Sequence, residues 1–181
     1  MPVLSYATWT PLAGTQETRP ISCVNWWESC AFCIWDGGFL PSEAEWEYAA
    51  AGGTQEREYP WGTAAPGTAN QYGIYDCYYP TEPSYCSLAS IAPVGTATLG
   101  AGLWGQLDLS GELEEWNLDW YVPYVDPCID CASLTPAAYR AMRGGSFWLS
   151  PANGAPPVRG RNAPAFRGNY TGFGFRCARS P

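Results

Sequence analysis

Apolar and polar positions follow no period over residues 1–20, where Pro, Gly and Thr recur, so this stretch reads as an extended lead-in. The pattern changes at Ile21. Ile21 to Val24 is a short strand-like run, and Asn25-Trp26-Trp27-Glu28 has the spacing of a capping box, in which the Asn side chain accepts an amide hydrogen three residues on and Glu28 reaches back. A helix is expected from there to about Asp36, ended by Gly37-Gly38, because glycine tolerates the left-handed conformation that a helix C-terminus favours. Pro41-Ser42-Glu43-Ala44-Glu45 repeats the device. Ser42 with Glu45 opens a second helix through Trp46, Tyr48 and Ala51 that Gly52-Gly53 terminates, and the acids of its first turn suit the helix dipole.

Beyond Tyr59-Pro60-Trp61-Gly62 the helical period disappears, and short apolar or aromatic runs alternate with Gly, Pro, Asn and Asp. Glu115 to Tyr121, Ala141 to Trp148 and Gly174 to Ala178 are the strand candidates; Thr63 to Pro93 and Tyr121 to Pro136 read as loops. Helices early and antiparallel strands late make an α+β pattern, with one domain expected over residues 21–181 and no internal repeat.

Composition sharpens this picture. A chain of 181 residues can bury a real core in one domain, and 10 Trp with 12 Tyr exclude a disordered polymer, while 20 Gly and 17 Pro place much of the chain in turns and loops. A net charge of −8 and a pI near 4.4 exclude a nucleic-acid surface, which needs Lys and Arg to neutralise phosphates. All nine basic residues are Arg, and seven of them lie from Arg140 onward, so the acidic remainder could hold cations. No apolar run approaches membrane-spanning length. The N-terminus lacks a basic segment followed by an apolar one, so either a secretion signal has been removed or the start lies upstream.

Histidine is absent, which removes the commonest general base and metal ligand and every His-containing triad. Eight Cys without His, in scattered spacing, read as disulfides rather than zinc ligands and imply an oxidising, secreted or extracytoplasmic setting. Cys128-Ile129-Asp130-Cys131 has the spacing of a redox pair, but Asp126 and Asp130 would disfavour a thiolate.

Several segments together resemble the sulfatase-modifying-factor (formylglycine-generating-enzyme) family. They are Ile21-Ser22-Cys23-Val24-Asn25-Trp26, the block Leu40 to Ala50, Tyr59-Pro60-Trp61-Gly62, Arg143-Gly144-Gly145-Ser146-Phe147 and Gly174-Phe175-Arg176-Cys177, in the family's order. The resemblance covers residues 20–181 and implies a C-type-lectin-like α+β fold, two helices packed on short antiparallel strands with long loops. It further implies strands upstream of residue 20, so an incomplete sheet is expected in this sequence.

Asp108-Leu109-Ser110-Gly111-Glu112-Leu113-Glu114-Glu115-Trp116 is similar to the family's calcium-holding block. Carried over by position, Asp108 and Glu115 would offer carboxylates while Gly111 and Leu113 offer carbonyls, the hard oxygen set calcium needs. Glu112 and Glu114 stand where the family has Asn and Trp. The bland alternative is a solvated acidic turn. Asn70 with Gln71 resembles part of a second calcium site, completed near Asp76. The resemblance also joins Cys33 to Cys177. Cys77 with Cys86 and Cys128 with Cys131 would then be local staples, leaving Cys23 to Cys30 or to a partner upstream; eight cysteines alone permit about 105 pairings.

In the enzymes of the family, two cysteines shortly after the Gly-Gly-Ser block bind copper and activate oxygen. The matching positions here are Leu149 and Gly154, neither of which can ligate a metal. Ser146 without a base is no activated nucleophile. A calcium-stabilised binding module for an extracellular carbohydrate or protein is therefore expected, and an oxidoreductase with a rebuilt metal site is the alternative. Ser146, Phe147, Trp148, Arg159, Arg161, Phe166, Arg167 and Tyr170 fall where this fold would display ligand-facing loops; filling the core is their bland role.

Overall fold

The computed structural model describes residues 7–81, 85–128, 131–168 and 172–180; Asp130, Tyr170 and the first six residues of the expected lead-in lie outside the described residues. Helix α1 spans Trp26–Trp35 and helix α2 spans Glu43–Ala51. Both begin on capping boxes. The Asn25 side chain accepts the Glu28 amide hydrogen at 3.0 Å while the Asn25 amide donates to Glu28 at 3.0 Å, and Ser42 and Glu45 exchange the same pair of bonds at 3.2 and 2.7 Å. Helix α2 ends on Gly52, left-handed at φ 68°, as its glycine pair predicts.

Four short strands form one sheet: β1 (Glu114–Trp120), β2 (Arg140–Arg143), β3 (Gly160–Asn162) and β4 (Phe173–Gly174), in the order β3-β2-β1-β4. β2 pairs antiparallel with both β1 and β3, whereas β4 joins β1 in parallel. The strand expected over Ala141 to Trp148 stops at Arg143. Gly144 and Gly145 take φ of 91° and 66°, which breaks the ladder and turns the chain inward. Ile21 to Val24 forms no strand, because Cys23 sits at φ 60°.

The core lies on both sides of β1. Trp26, Cys33 and Leu40 pack with Trp116, Met142 and Phe173, and Ile74, Ile91, Leu113 and Phe147 form a second cluster. Each large apolar side chain buried this way contributes about 2 kcal/mol. Polar ends are satisfied as they enter: the Trp26 indole donates to the Asn117 carbonyl at 2.8 Å and the Trp116 indole to the Val24 carbonyl at 2.9 Å, tying α1 and its lead-in to β1.

Cys33 is bonded to Cys177 at 2.03 Å, fastening α1 to the segment after β4, and Cys77–Cys86 and Cys128–Cys131 close local loops. The expected Cys23–Cys30 bridge is not formed. Cys23 lies in the tight turn before the helix cap with its sulfur 3.6 Å from the Gly168 carbonyl, while Cys30 is carried by α1 into the cluster around Trp26 and Cys33. Among the described residues no helix is long and apolar enough to cross a membrane.

Candidate functional site

The loop from Asp108 to Leu113 is pinned by backbone bonds on every side. The Gly111 amide donates to the Gly144 carbonyl at 2.7 Å, the Glu112 amide to Ile74 at 2.8 Å, and the Phe147 amide to the Glu112 carbonyl at 2.9 Å. Position 111 requires glycine, since it is left-handed at φ 81° and a Cβ there would overlap the Ile74 carbonyl. Asp108 and Glu112 are also left-handed, at φ 58° and 62°, a conformation that is uncommon for residues with side chains.

This loop presents Asp108, Glu112, Leu113 and Glu115 to one cavity of about 200 Å³, whose other walls are Pro20, Val94, Leu107, Phe175 and Arg176. Glu115 is engaged by protein: the Trp46 indole donates to one oxygen at 2.7 Å, and Arg176 donates to both oxygens at 2.6 Å. Arg176 continues to the Asp108 carbonyl at 2.9 Å. Asp108 accepts the Gly95 amide at 2.7 Å through one carboxylate oxygen. Glu112 is 3% exposed, its carboxylate makes no well-aligned hydrogen bond, and the Ala92 amide and Arg19 are the groups that favour its charged form. Burial, reinforced by the neighbouring Asp108, pushes the Glu112 carboxyl well above the usual range; burial also raises Asp108, against the pull of the Gly95 amide and Arg176.

Oxygen donors of this kind suit calcium in chemistry, although Arg176 already neutralises Glu115. Asp108 and Glu115 would supply carboxylate oxygens and Leu113, on the cavity wall, its carbonyl; Gly111 braces the loop through its amide. Among the described residues no group of three acidic or cysteine side chains is drawn together tightly enough to hold an ion unaided, so carbonyls and water would complete the shell. The Asn70 side-chain NH2 donates to the Tyr78 carbonyl at 3.1 Å, a bond that does not involve its side-chain oxygen, and the Gln71 backbone carbonyl accepts from the Leu99 amide at 2.9 Å.

Of Leu149 and Gly154, the positions matching the copper-binding cysteines, Leu149 lines a cavity of about 60 Å³ with Glu114, Arg143, Gly144, Gly145, Asn153 and Arg159. Gly154 is buried, and a Cβ there would overlap the Ser110 hydroxyl. Glu114 reaches across from β1 to lie against Gly160 of β3, where a Cβ would overlap its carboxylate, and burial pushes its carboxyl up to about 7. Arg143 and Arg159 line the same space but are committed to Glu43, at 2.8 and 2.6 Å. Arg143, fully buried, also donates to Glu47 and to the Tyr124 hydroxyl at 2.6 Å each.

The candidate ligand-facing residues divide. Phe147 is fully buried in the core, and Ser146 is buried with its hydroxyl unpartnered, both turned inward by the Gly144-Gly145 bend; their assignment to a ligand-facing surface is corrected here. Trp148 and Phe166 are exposed at 41% and 45%. Arg161 is exposed and lies 4.9 Å from the Tyr121 ring and 5.5 Å from the Tyr139 ring, Arg159 lies between Tyr121 and Tyr124, and Arg167 pairs with Glu28. Sequence reasoning missed the grip of Arg176 on Glu115, the buried placement of Glu112 and the half-buried one of Glu114. The signal was present in two carboxylates standing where Asn and Trp are usual.

Comparison with known proteins places these observations. The family model described as "Sulfatase-modifying factor enzyme 1-like domain" matches residues 6–181. The formylglycine-generating enzyme of Streptomyces coelicolor is 35% identical over 173 residues, covering 90% of this chain and 53% of that protein. The mouse protein named inactive C-alpha-formylglycine-generating enzyme 2 is 30% identical over 179 residues, covering 94% and 53%. Among solved structures, Treponema denticola variable protein 1 aligns with a TM-score of 0.74 at 25% identity over 98% of this chain and 77% of that one. PvdO from Pseudomonas aeruginosa aligns at 0.71 and 23% identity over 91% and 63%, a likeness of fold alone. The chain spans about half the length of the curated relatives it matches, 53% and 45% of the first two.

Proposed function

Because the chain belongs to the sulfatase-modifying-factor family, its chemistry turns on the two metal-binding positions, and we propose that it is a non-catalytic, calcium-stabilised binding module of that family. The observation that carries this reading is the pair Leu149 and Gly154. One offers an alkyl side chain and the other none, and the space a cysteine would need at 154 is filled by the Ser110 hydroxyl. Soft thiolates hold copper(I), and a leucine and a closed glycine supply none. The family includes relatives named as enzymes and relatives named as inactive forms, so loss of activity within this fold has precedent.

Calcium would stabilise the loop by bridging Asp108, Glu115 and the Leu113 carbonyl, a role in structure rather than in bond making. The ligand surface we assign to Trp148, Arg161, Phe166 and Arg167, with the tyrosines beside Arg161; exposed aromatic faces next to Arg suit a carbohydrate or a protein partner. The three disulfides support an extracytoplasmic setting.

Metal analysis of the oxidised protein, with thermal melting in calcium, copper and chelator, tests the reading. Retained calcium and a midpoint that falls on chelation, without copper, are expected. One equivalent of tightly bound copper or iron would overturn it and favour an oxidoreductase with a rebuilt site.

A further inference from the structure

We propose that the outer face of α1 is a dimer interface, on which a second copy of this chain packs its own α1 antiparallel about a two-fold axis at Ala31.

Helix α1 is apolar nearly all round, with Glu28 as its only charged residue. A helix of that composition is normally enclosed on every side. Here the chain's own core covers one side, where Trp26, Ser29 and Cys33 are buried. Trp27, Ala31, Ile34 and Trp35 recur at i, i+4, i+7 and i+8 on the opposite side, and all four are exposed, Trp27 at 54%, Ile34 at 65% and Trp35 at 79%. The apolar surface continues sideways through Phe32, which lies 5.5 Å from both the Trp35 and Phe175 rings and walls a cavity of about 520 Å³ with Trp9, Ile21 and Val24. An aromatic side chain presents about 150–250 Å², so this face leaves roughly 500 Å² of apolar surface bare, a patch of the size that marks an interaction site. Two such faces with the rim around them reach the lower end of specific interfaces, about 1,200 Å² in total.

Two features select a second copy as the occupant. The stripe is self-complementary: Trp27 and Trp35 stand four residues either side of Ala31, so an antiparallel copy with its own Ala31 opposite sets each Trp27 against the partner's Trp35. A methyl group at the crossing point lets the helices approach closely. Charge, by contrast, gives a different partner no handle, because Glu28 is already paired with Arg167.

Sedimentation of the whole oxidised chain across a concentration series tests this. We expect a monomer–dimer equilibrium that shifts with concentration. Ala31→Glu places two like charges on the axis and should raise the dissociation constant about a hundredfold or more, while glutamate, a good helix former at an exposed position, leaves the melting of the dilute monomer cooperative. An equimolar mixture of Ala31→Glu and Ala31→Arg should recover the dimer, since opposite charges then meet. A wild type that stays monomeric, a dimer that Ala31→Glu leaves unchanged, or a mixture that fails to recover it would each overturn the two-fold arrangement. A monomer whose tryptophan emission shifts to the blue on phosphatidylcholine vesicles would overturn it in favour of a membrane surface.

Discussion

Glu114 makes stability depend on pH in a way that one substitution should erase. Its carboxyl titrates near 7 in the folded protein, because strands β1 and β3 enclose it, against 4.5 for a free glutamate. The folded state therefore holds a proton that the unfolded state has released between those values. Stability falls as pH rises through that window and levels off above it. Raising the carboxyl from 4.5 to about 7 corresponds to about 3 kcal/mol. Glu114→Gln keeps the shape and removes the charge. At pH about 8 the variant should exceed the wild type by about 3 kcal/mol, or roughly 6–12 °C in melting temperature for a domain of this size; near pH 4.5 the two should coincide. Thermal melts from pH about 4.5 to 8 in chelator, read as variant minus wild type, isolate this residue from the other raised carboxyls, Asp108 and Glu112. Parallel curves for the two proteins would refute the reasoning.

Three further outcomes are expected. Replacing Cys33 and Cys177 by Ala opens a link of sequence separation 144 and should cost about 5 kcal/mol by the chain-entropy relation, read from urea midpoints at matched conditions. Restoring cysteines at 149 and 154 should not restore copper binding by metal analysis; the Gly154 change should cost about 1–3 kcal/mol by overpacking against Ser110, and adding Ser110→Gly should return part of that. Arg176→Ala leaves Glu115 buried and unpaired and should cost about 3 kcal/mol, of which Glu115→Gln in the same chain recovers a share, measured by denaturant unfolding.

Local chemistry was legible wherever the partner lies a few residues away. Asn25 with Glu28 and Ser42 with Glu45 fix both helix starts, and Gly52 fixes an end, because each bond spans three or four positions. Legibility failed where partners are distant. β3 carries Gly and Arg in a three-residue run and is a strand only because β2 lies beside it. Phe147 reads as surface or core equally well until the Gly144-Gly145 bend is seen to aim it inward. Cys23 and Cys30 are close in sequence, yet a left-handed residue and a helix turn separate their surroundings.

The family blocks prove to be one another's partners. Trp46, from the block that opens α2, donates to Glu115 of the acidic block; Glu115 accepts Arg176 from the last block, whose neighbour Cys177 is bonded to Cys33 on α1. Gly144, from the Gly-Gly-Ser block, accepts the Gly111 amide of the acidic loop. These contacts hold the sheet, both helices and the loop in one frame, so selection for the frame alone would keep the blocks recognisable. The two positions that decide the family's copper chemistry, 149 and 154, belong to none of those contacts, apart from the space Gly154 leaves for Ser110. Position 149 can change without disturbing those contacts, whereas a side chain at 154 has to displace the Ser110 hydroxyl. A match across the blocks therefore certifies the architecture, and the activity of any one chain has to be read from those two side chains.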